Sequence, residues 1–108
     1  MILRTFVFQA SKSKRRTVTR FMRQRALRLL KRIPACRAAF FTRSPERRGE
    51  YMWVTVWSSP AGLRAAQRRP DWKEVVRIEE GDYFAGRPRH RHFEVLFKIG
   101  RASCRERV

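Results

Sequence analysis

The residues of this chain with the clearest chemical capability are two closely spaced histidines, His90 and His92, within the run Arg-Pro-Arg-His-Arg-His. On a β-strand, residues two apart lie on the same face, so both imidazoles could bind one metal ion. No third ligand accompanies them, and the neighbouring arginines oppose a further cation. The sequence therefore predicts no metal site, and we interpret the histidines as exposed or singly hydrogen-bonded groups that change charge near neutral pH.

Cysteine and glycine chemistry is also sparse. The last ten residues, 99–108, have the sequence IGRASCRERV, which matches the translation of a common sequencing adapter, and we expect them to be an artefactual tail on a domain of residues 1–98. Without that tail, Cys36 is a single cysteine that can form no internal disulfide, and we interpret it as a small buried apolar residue. Gly81 and Gly86 form no phosphate-binding motif.

Positive charge is the strongest compositional feature. The chain has 27 Lys and Arg against 9 Asp and Glu, a net charge of +18, and residues 1–45 hold thirteen basic residues and no acidic one. A predicted long helix carries a candidate anion-binding face opposite its apolar stripe, made of Arg16, Arg20, Arg23, Arg28, Lys31 and Arg32. We interpret this face as solvated surface. The alternative is binding to nucleic acid or an anionic membrane surface, because clustered cations release counterions from a polyanion.

Apolar periodicity and turn residues predict the element order β-α-β-β-α-β. The long helix follows Ser11 and Ser13, whose side chains are expected to cap it, and it ends before Pro34. The predicted strands are 2–9, 36–42, 50–57 and 92–97, and the predicted shorter helices are 60–68 and 72–78. This order describes an α+β, ferredoxin-like domain in which one antiparallel four-stranded sheet has its helices on one face.

The strands carry apolar residues on both faces, whereas a sheet with one face in water alternates apolar with polar residues. In residues 51–57, Tyr-Met-Trp-Val-Thr-Val-Trp, both alternating sets are apolar or aromatic. The helices can cover only one face, so we expect the other to pack against the same face of an identical subunit, giving a homodimer.

Length and hydropathy limit the remaining possibilities. Residues 1–98 are long enough for one small domain and too short for a second. It has no apolar run near the roughly 20 residues that span a bilayer, and its start lacks a secretory cleavage site. We therefore expect a soluble, cytoplasmic protein without a transmembrane segment.

The element order, the stretch YMWVTVWSSPAGLRAAQRRPDWKEVV and the closing HFEVL resemble the antibiotic biosynthesis monooxygenase domain family over nearly all of residues 1–97. The most specific part is Trp57-Ser58-Ser59, followed by Leu63 and then by Asp71-Trp72. The resemblance implies a dimeric α+β barrel. It also implies one of several activities, because this family includes cofactor-independent oxygenases, haem-degrading enzymes, quinol oxygenases and members without an assigned activity.

At two places this sequence departs from the family, and these departures reduce the number of activities that the resemblance implies. The chain has no asparagine, and Val7 stands near the position where oxygen-using relatives place a donor asparagine. The tryptophan and histidine of haem-degrading relatives are replaced by Ala66 and Val76. Haem cleavage is therefore not expected, because the axial ligand is missing, and the sequence predicts no cofactor.

The oxygenase activity that the resemblance implies uses a deprotonated hydroxyaromatic or quinone-type substrate, which reduces dioxygen itself in an apolar pocket. Candidate catalytic groups are His92, Tyr51 and Arg4, with His90 as a further proton carrier. The candidate substrate pocket consists of Trp53, Trp57, Trp72, Tyr83 and Phe84. The simpler interpretation places the tryptophans in the core. A different function on the same fold is a non-catalytic basic binding module.

Overall fold

A computed structural model of the chain describes residues 1–79 and 84–99, and Tyr83, Gly81 and most of the 99–108 tail lie outside these ranges. The strands are β1 (Ile2–Gln9), β2 (Cys36–Arg43), β3 (Glu50–Trp57) and β4 (Arg89–Glu94), and the helices are α1 (Arg15–Phe21), α2 (Leu27–Lys31), α3 (Pro60–Gln67) and α4 (Pro70–Glu79). The strands form one antiparallel sheet in the order β2-β3-β1-β4. The predicted α+β, ferredoxin-like architecture is confirmed.

The predicted long helix combines four helical segments. A 3₁₀ turn, Lys12–Lys14, leads into α1, and a π-helical turn, Met22–Ala26, joins α1 to α2. The Leu27 N–H donates to the Met22 carbonyl five residues back, which is the π-helical hydrogen bond. This wider turn fits the spacing of the apolar residues. Val18, Met22 and Ala26 follow one another at intervals of four residues, which is longer than the roughly 3.6 residues of an α-helical turn. It keeps the apolar stripe facing the sheet, and all its members are buried: Val18, Met22, Ala26, Leu29 and Ile33.

The helices differ in how their first turns are capped. Ser59 lies before α3 and accepts a hydrogen bond from the Gly62 N–H at 3.0 Å, while Pro60 occupies the first helical turn. Ser11 stands at the N-cap of the 3₁₀ turn but makes no side-chain cap, and Ser13 lies inside that turn. The predicted serine cap of the long helix is therefore wrong. α4 begins at Pro70, two residues earlier than expected.

The last strand lies three residues nearer the N-terminus than predicted, at Arg89–Glu94 instead of 92–97. Its register with β1 explains the difference, because Glu94 already pairs with Ile2. Next to this pair, the Val95 N–H donates to the Met1 carbonyl at 3.1 Å. Phe97 consequently stays 92% exposed, although its apolar surroundings favoured a strand.

The two faces of the sheet have different environments. Along β3 burial alternates strictly, and Tyr51, Trp53, Thr55 and Trp57 point to the helices and are buried. The opposite face, which we call the uncovered face, carries Leu3, Val7, Ala38, Phe40, Met52, Val54, Val56 and Phe93 by strand register. Phe40 is 56% exposed and Phe93 is 43% exposed. Within the described residues, every helix packs on the other side.

Candidate active site

A cavity of about 200 Å³ lies between the sheet and the helices. The strands contribute Arg4, Phe6, Trp53, Thr55 and His90 to its lining; the helical segments contribute Ala26, Leu29, Leu30, Trp72, Val75 and Val76; and the segment before β4 contributes Phe84 and Pro88. Most of these side chains are aliphatic or aromatic. The cavity therefore suits an apolar ligand that is oriented by a few polar groups.

Arg4 brings a positive charge into this apolar lining. It is half-buried on β1, and its guanidinium carbon lies 6.0 Å from the Phe6 ring centroid and 5.8 Å from that of Trp72. Both rings attract the cation through their electron-rich faces, which holds the long side chain at the cavity. The guanidinium can therefore bind the negative charge of a phenolate or carboxylate group.

His90 lies beside Phe6 at the edge of the same cavity. The two residues are register partners on β4 and β1, and their ring centroids are 4.6 Å apart. His90 is exposed, so solvent reaches the imidazole while the residue also lines the cavity. This position suits a group that takes a proton from a bound ligand and passes it to water.

Thr55 is a buried polar residue of the lining that sequence reasoning missed. Its hydroxyl oxygen accepts a hydrogen bond from the Trp57 indole N–H at 2.8 Å, which leaves the hydroxyl proton able to donate to a ligand oxygen. Thr55 lies on the same face of β3 as Tyr51, Trp53 and Trp57, so the two-residue period of the strand predicts that it is buried with them.

The structure brings five of the predicted site residues together at the cavity: Arg4, Trp53, Trp72, Phe84 and His90. Trp57 is fully buried and contacts Trp72 at a ring-centroid distance of 5.9 Å, so its indole belongs to the core beside the cavity. The Trp53 indole N–H donates to the Met22 sulfur at 2.8 Å, which fixes that ring in place. Tyr83 lies outside the described residues.

Two predicted catalytic residues have other surroundings. Tyr51 forms an aromatic cluster with Phe8 and Phe41, whose ring centroids lie 5.5 Å and 5.4 Å from its own. His92 pairs with Arg4 on the adjacent strand and is exposed, and it is absent from the described cavity lining. His90 and His92 do share a face, but within residues 1–79 and 84–99 no three His, Cys, Asp or Glu side chains are grouped to hold a metal ion.

The predicted anion-binding face divides into two parts. All six of its residues are exposed. Arg16, Arg20 and Arg23 border a large cleft against the β2–β3 loop, and Arg28 and Arg32 border a smaller hollow that also contains Asp71 and Glu74. The face is therefore not one continuous band of unopposed positive charge.

The order of strands, the helices on one face and the apolar cavity between them define a ferredoxin-like α+β domain with an internal cavity. The family model for antibiotic biosynthesis monooxygenase matches residues 1–78. The chain belongs to this family. No curated protein matches the sequence significantly.

Solved structures agree with this fold at low sequence identity. A Caulobacter crescentus CB15 protein with the same family description has a TM-score of 0.80 at 18% identity, and the alignment covers 89% of this chain and 90% of that chain. A mutant form of SnoaB, a cofactor-independent oxygenase from Streptomyces nogalater, has a TM-score of 0.74 at 15% identity, covering 93% of this chain and 97% of that chain. These similarities establish the shared fold. In the described part of the chain, no helix is long and apolar enough to cross a membrane.

Proposed function

We propose that this protein is a cofactor-independent oxygenase for a small hydroxyaromatic or quinone-type compound bound in the cavity. The observation that carries the proposal is the half-buried Arg4 guanidinium, which lies against two aromatic rings in an otherwise apolar lining. An acidic aromatic ring suits both parts of this environment. Membership of the monooxygenase family supports the reaction class.

The cavity volume sets the size of the substrate. A cavity of about 150 Å³ is large enough for benzene in another protein. The volume of about 200 Å³ here therefore accommodates one substituted ring. A fused-ring substrate requires side chains of the lining to move, and Leu30 and Val76 are candidates because both are only partly buried.

The proposed reaction converts a phenolic ring into a quinone. Arg4 binds the phenolate form, His90 takes the hydroxyl proton, and the electron-rich anion transfers electrons to dioxygen. One oxygen atom becomes a carbonyl at a ring carbon that held hydrogen, and the other leaves as water. The substrate itself supplies all four electrons, so the reaction balances without an external reductant.

Oxygen consumption tests this function directly. The full chain is incubated with a panel of hydroquinones and hydroxyaromatic acids while an oxygen electrode and quinone absorbance are recorded together. We expect uptake with one-ring acidic members and matching quinone formation. The exposed variant Arg64→Gln, on α3, serves as a control for lost surface charge and keeps the activity. Inactivity across the whole panel contradicts the proposal.

We also propose that the protein is a homodimer that buries the uncovered face. Phe40 on β2 and Phe93 on β4 are large apolar side chains held in water at opposite edges of this face in the single chain. A second copy would cover them. Light scattering should give a solution mass of two copies, and Phe40→Glu should give one, because it places a carboxylate inside the interface. A single-copy mass for the unmodified protein contradicts this arrangement.

A further inference from the structure

A second and larger hollow lies between the long helical region that contains α1 and the β2–β3 loop, and its volume is about 970 Å³. Six arginines line it and define what we call the arginine cleft: Arg15, Arg16, Arg20, Arg23, Arg43 and Arg48. They come from three parts of the chain, namely the helix, the end of β2 and the loop. The fold therefore brings together charges that lie more than 20 residues apart in sequence.

The positive charges of this cleft are not neutralised within the described residues. Glu46 is the single acidic residue of the described lining. Within residues 1–79 and 84–99, none of the six arginines forms an ion pair, and the nearest pair joins Arg47 to Glu50 at 3.4 Å. Six adjacent guanidinium groups repel one another, and a bound anion removes that repulsion.

The inner wall of the cleft is held in a fixed shape. Gly49 has a φ of +87°, and its backbone oxygen accepts a hydrogen bond from the Ala10 N–H at 2.8 Å. The Gln9 side-chain amide donates to the Arg48 carbonyl at 2.9 Å. A β-carbon at position 49 would lie 2.7 Å from the Arg15 Nη2, so the absence of a side chain lets Arg15 approach the loop.

Arg15 is held against the inner wall of the cleft. Its Nε is out of contact with solvent and has no hydrogen-bond partner among the described residues. This Nε lies against Gly49 on the inner wall, so an anion in the cleft would contact the other guanidinium nitrogens of Arg15. The guanidinium fork binds phosphate oxygens in pairs, which gives both strength and direction.

The geometry points to a binding site for a compact ligand that carries two or more phosphate groups, such as a nucleoside triphosphate or an inorganic polyphosphate. The volume of the cleft lies within the range of small-molecule sites. A nucleic acid strand would require the basic band to continue along the helix, but Arg28 and Arg32 lie beside Asp71 and Glu74 instead. This site is separate from the cavity and does not depend on the proposed oxygenase activity.

Calorimetry with matched double variants tests the site. Tripolyphosphate and ATP are titrated into the full chain at about 150 mM salt, where diffuse surface attraction is screened. The variant Arg20→Gln/Arg43→Gln removes two charges from the cleft, and Arg28→Gln/Arg32→Gln removes two charges from the same helix outside it. We expect the first to weaken binding by about tenfold or more and the second by less than about twofold. Thermal unfolding without ligand checks that both variants fold.

The outcomes separate a phosphate site from general basicity. Equal weakening by the two double variants overturns the proposal, because total charge would then decide affinity. Absence of binding by both tripolyphosphate and ATP also overturns it. In a third titration, a single strand of about 20 nucleotides that binds more tightly than ATP and is not displaced by tripolyphosphate would assign the cleft to nucleic acid instead. Displacement of ATP by tripolyphosphate supports recognition through the phosphates.

Discussion

The two hollows of this protein use the same side chain in opposite ways. The cavity has a single guanidinium, Arg4, in its described lining, held between aromatic rings, whereas the arginine cleft gathers six around one carboxylate. Arg4 is partly removed from water, so its field is weakly screened. The cleft arginines act through their number in a hollow that solvent and salt can enter. On the two proposals made above, one hollow would bind an apolar anion and the other a highly charged one.

The cavity keeps its shape only if the core beside it is well packed, and Trp57 belongs to that core. Truncating Trp57 is therefore the change for which we expect the largest effect on stability. This indole is fully buried, so Trp57→Ala should lower the free energy of unfolding by about 3–5 kcal/mol. Trp72→Ala should cost less, because Trp72 is half-buried against the cavity. Urea unfolding of both variants measures the difference.

A truncation of this size can prevent folding, so Trp57→Phe gives a second measurement. It keeps an aromatic ring but removes the hydrogen bond from the indole to Thr55, and we expect a loss of about 1 kcal/mol. A smaller loss for Trp57→Ala than for Trp72→Ala would contradict the assignment of Trp57 to the core.

Arg4→Gln tests the cavity as an anion site, with the next largest effect. Charge-assisted hydrogen bonds contribute about 1.5–3 kcal/mol, so affinity for a hydroxyaromatic acid should fall by between about tenfold and a hundredfold. Quenching of the fluorescence of Trp53 and Trp72, which line the cavity, reports the binding. Arg64→Gln is the matched control, and tripolyphosphate binding in the cleft should not change. An equal loss with the neutral methyl ether of the same ligand would show that Arg4 acts through packing alone.

The sequence predicted which residues of a strand share a face, because successive side chains of a strand point to opposite faces of the sheet. β1 and β3 have the predicted bounds, and burial alternates strictly along β3, with its aromatic residues on the helix-covered face and apolar residues on the other. The bounds of β4 were not predictable from apolarity, because the register with β1 sets them, and that register pairs Val7 with Arg89 and Ile2 with Glu94. An edge strand can also accept the polar run that includes His90, since one side of it remains in water.

The sequence did not predict which residues on the helix-covered face of the sheet line the cavity. Tyr51, Trp53 and Trp57 share one face, yet only Trp53 lines the described cavity. The side chains opposite each ring decide this: Phe8 and Phe41 cover Tyr51, and Trp72 lies against Trp57. A single sequence does not specify how helix side chains are distributed over a sheet. For the same reason, the arginines of the loop could not be placed opposite those of the helix.

Gly49→Ala tests the shape of the arginine cleft and should have a moderate effect. Alanine at a positive φ costs about 1–2 kcal/mol, and its methyl group would also displace Arg15 and Gln9. Gly86→Ala is a close control, because Gly86 has a φ of +102° but has no atom within 4 Å of the added carbon. Both variants should lose stability in thermal unfolding, but only Gly49→Ala should also lose tripolyphosphate affinity. Unchanged affinity in Gly49→Ala would remove Arg15 from the proposed site.

We expect the smallest effect on stability at Arg69, an arginine that is already paired with a carboxylate, that of Asp71. Arg69 donates two hydrogen bonds of 3.0 Å to Asp71, which also accepts from the Trp72 N–H at 2.9 Å in the first turn of α4. The hydrogen bonds from Arg69 lower the pKa of the Asp71 carboxyl. Because the folded-state pKa is lowered, this stabilisation is present above the ordinary carboxyl pKa and is lost as the pH falls through the lowered value.

Asp71→Asn should therefore lower the thermal midpoint at pH 7, and the difference from the unmodified protein should shrink below about pH 4. Asparagine keeps an oxygen that can accept from the Trp72 N–H, so the variant isolates the charge. Thermal unfolding of both proteins across this pH range measures the difference. The same pH series with Arg20→Gln should show no such convergence, because that arginine of the cleft has no carboxylate partner among the described residues. A difference for Asp71→Asn that stays constant with pH would mean that the pair contributes nothing through its charge.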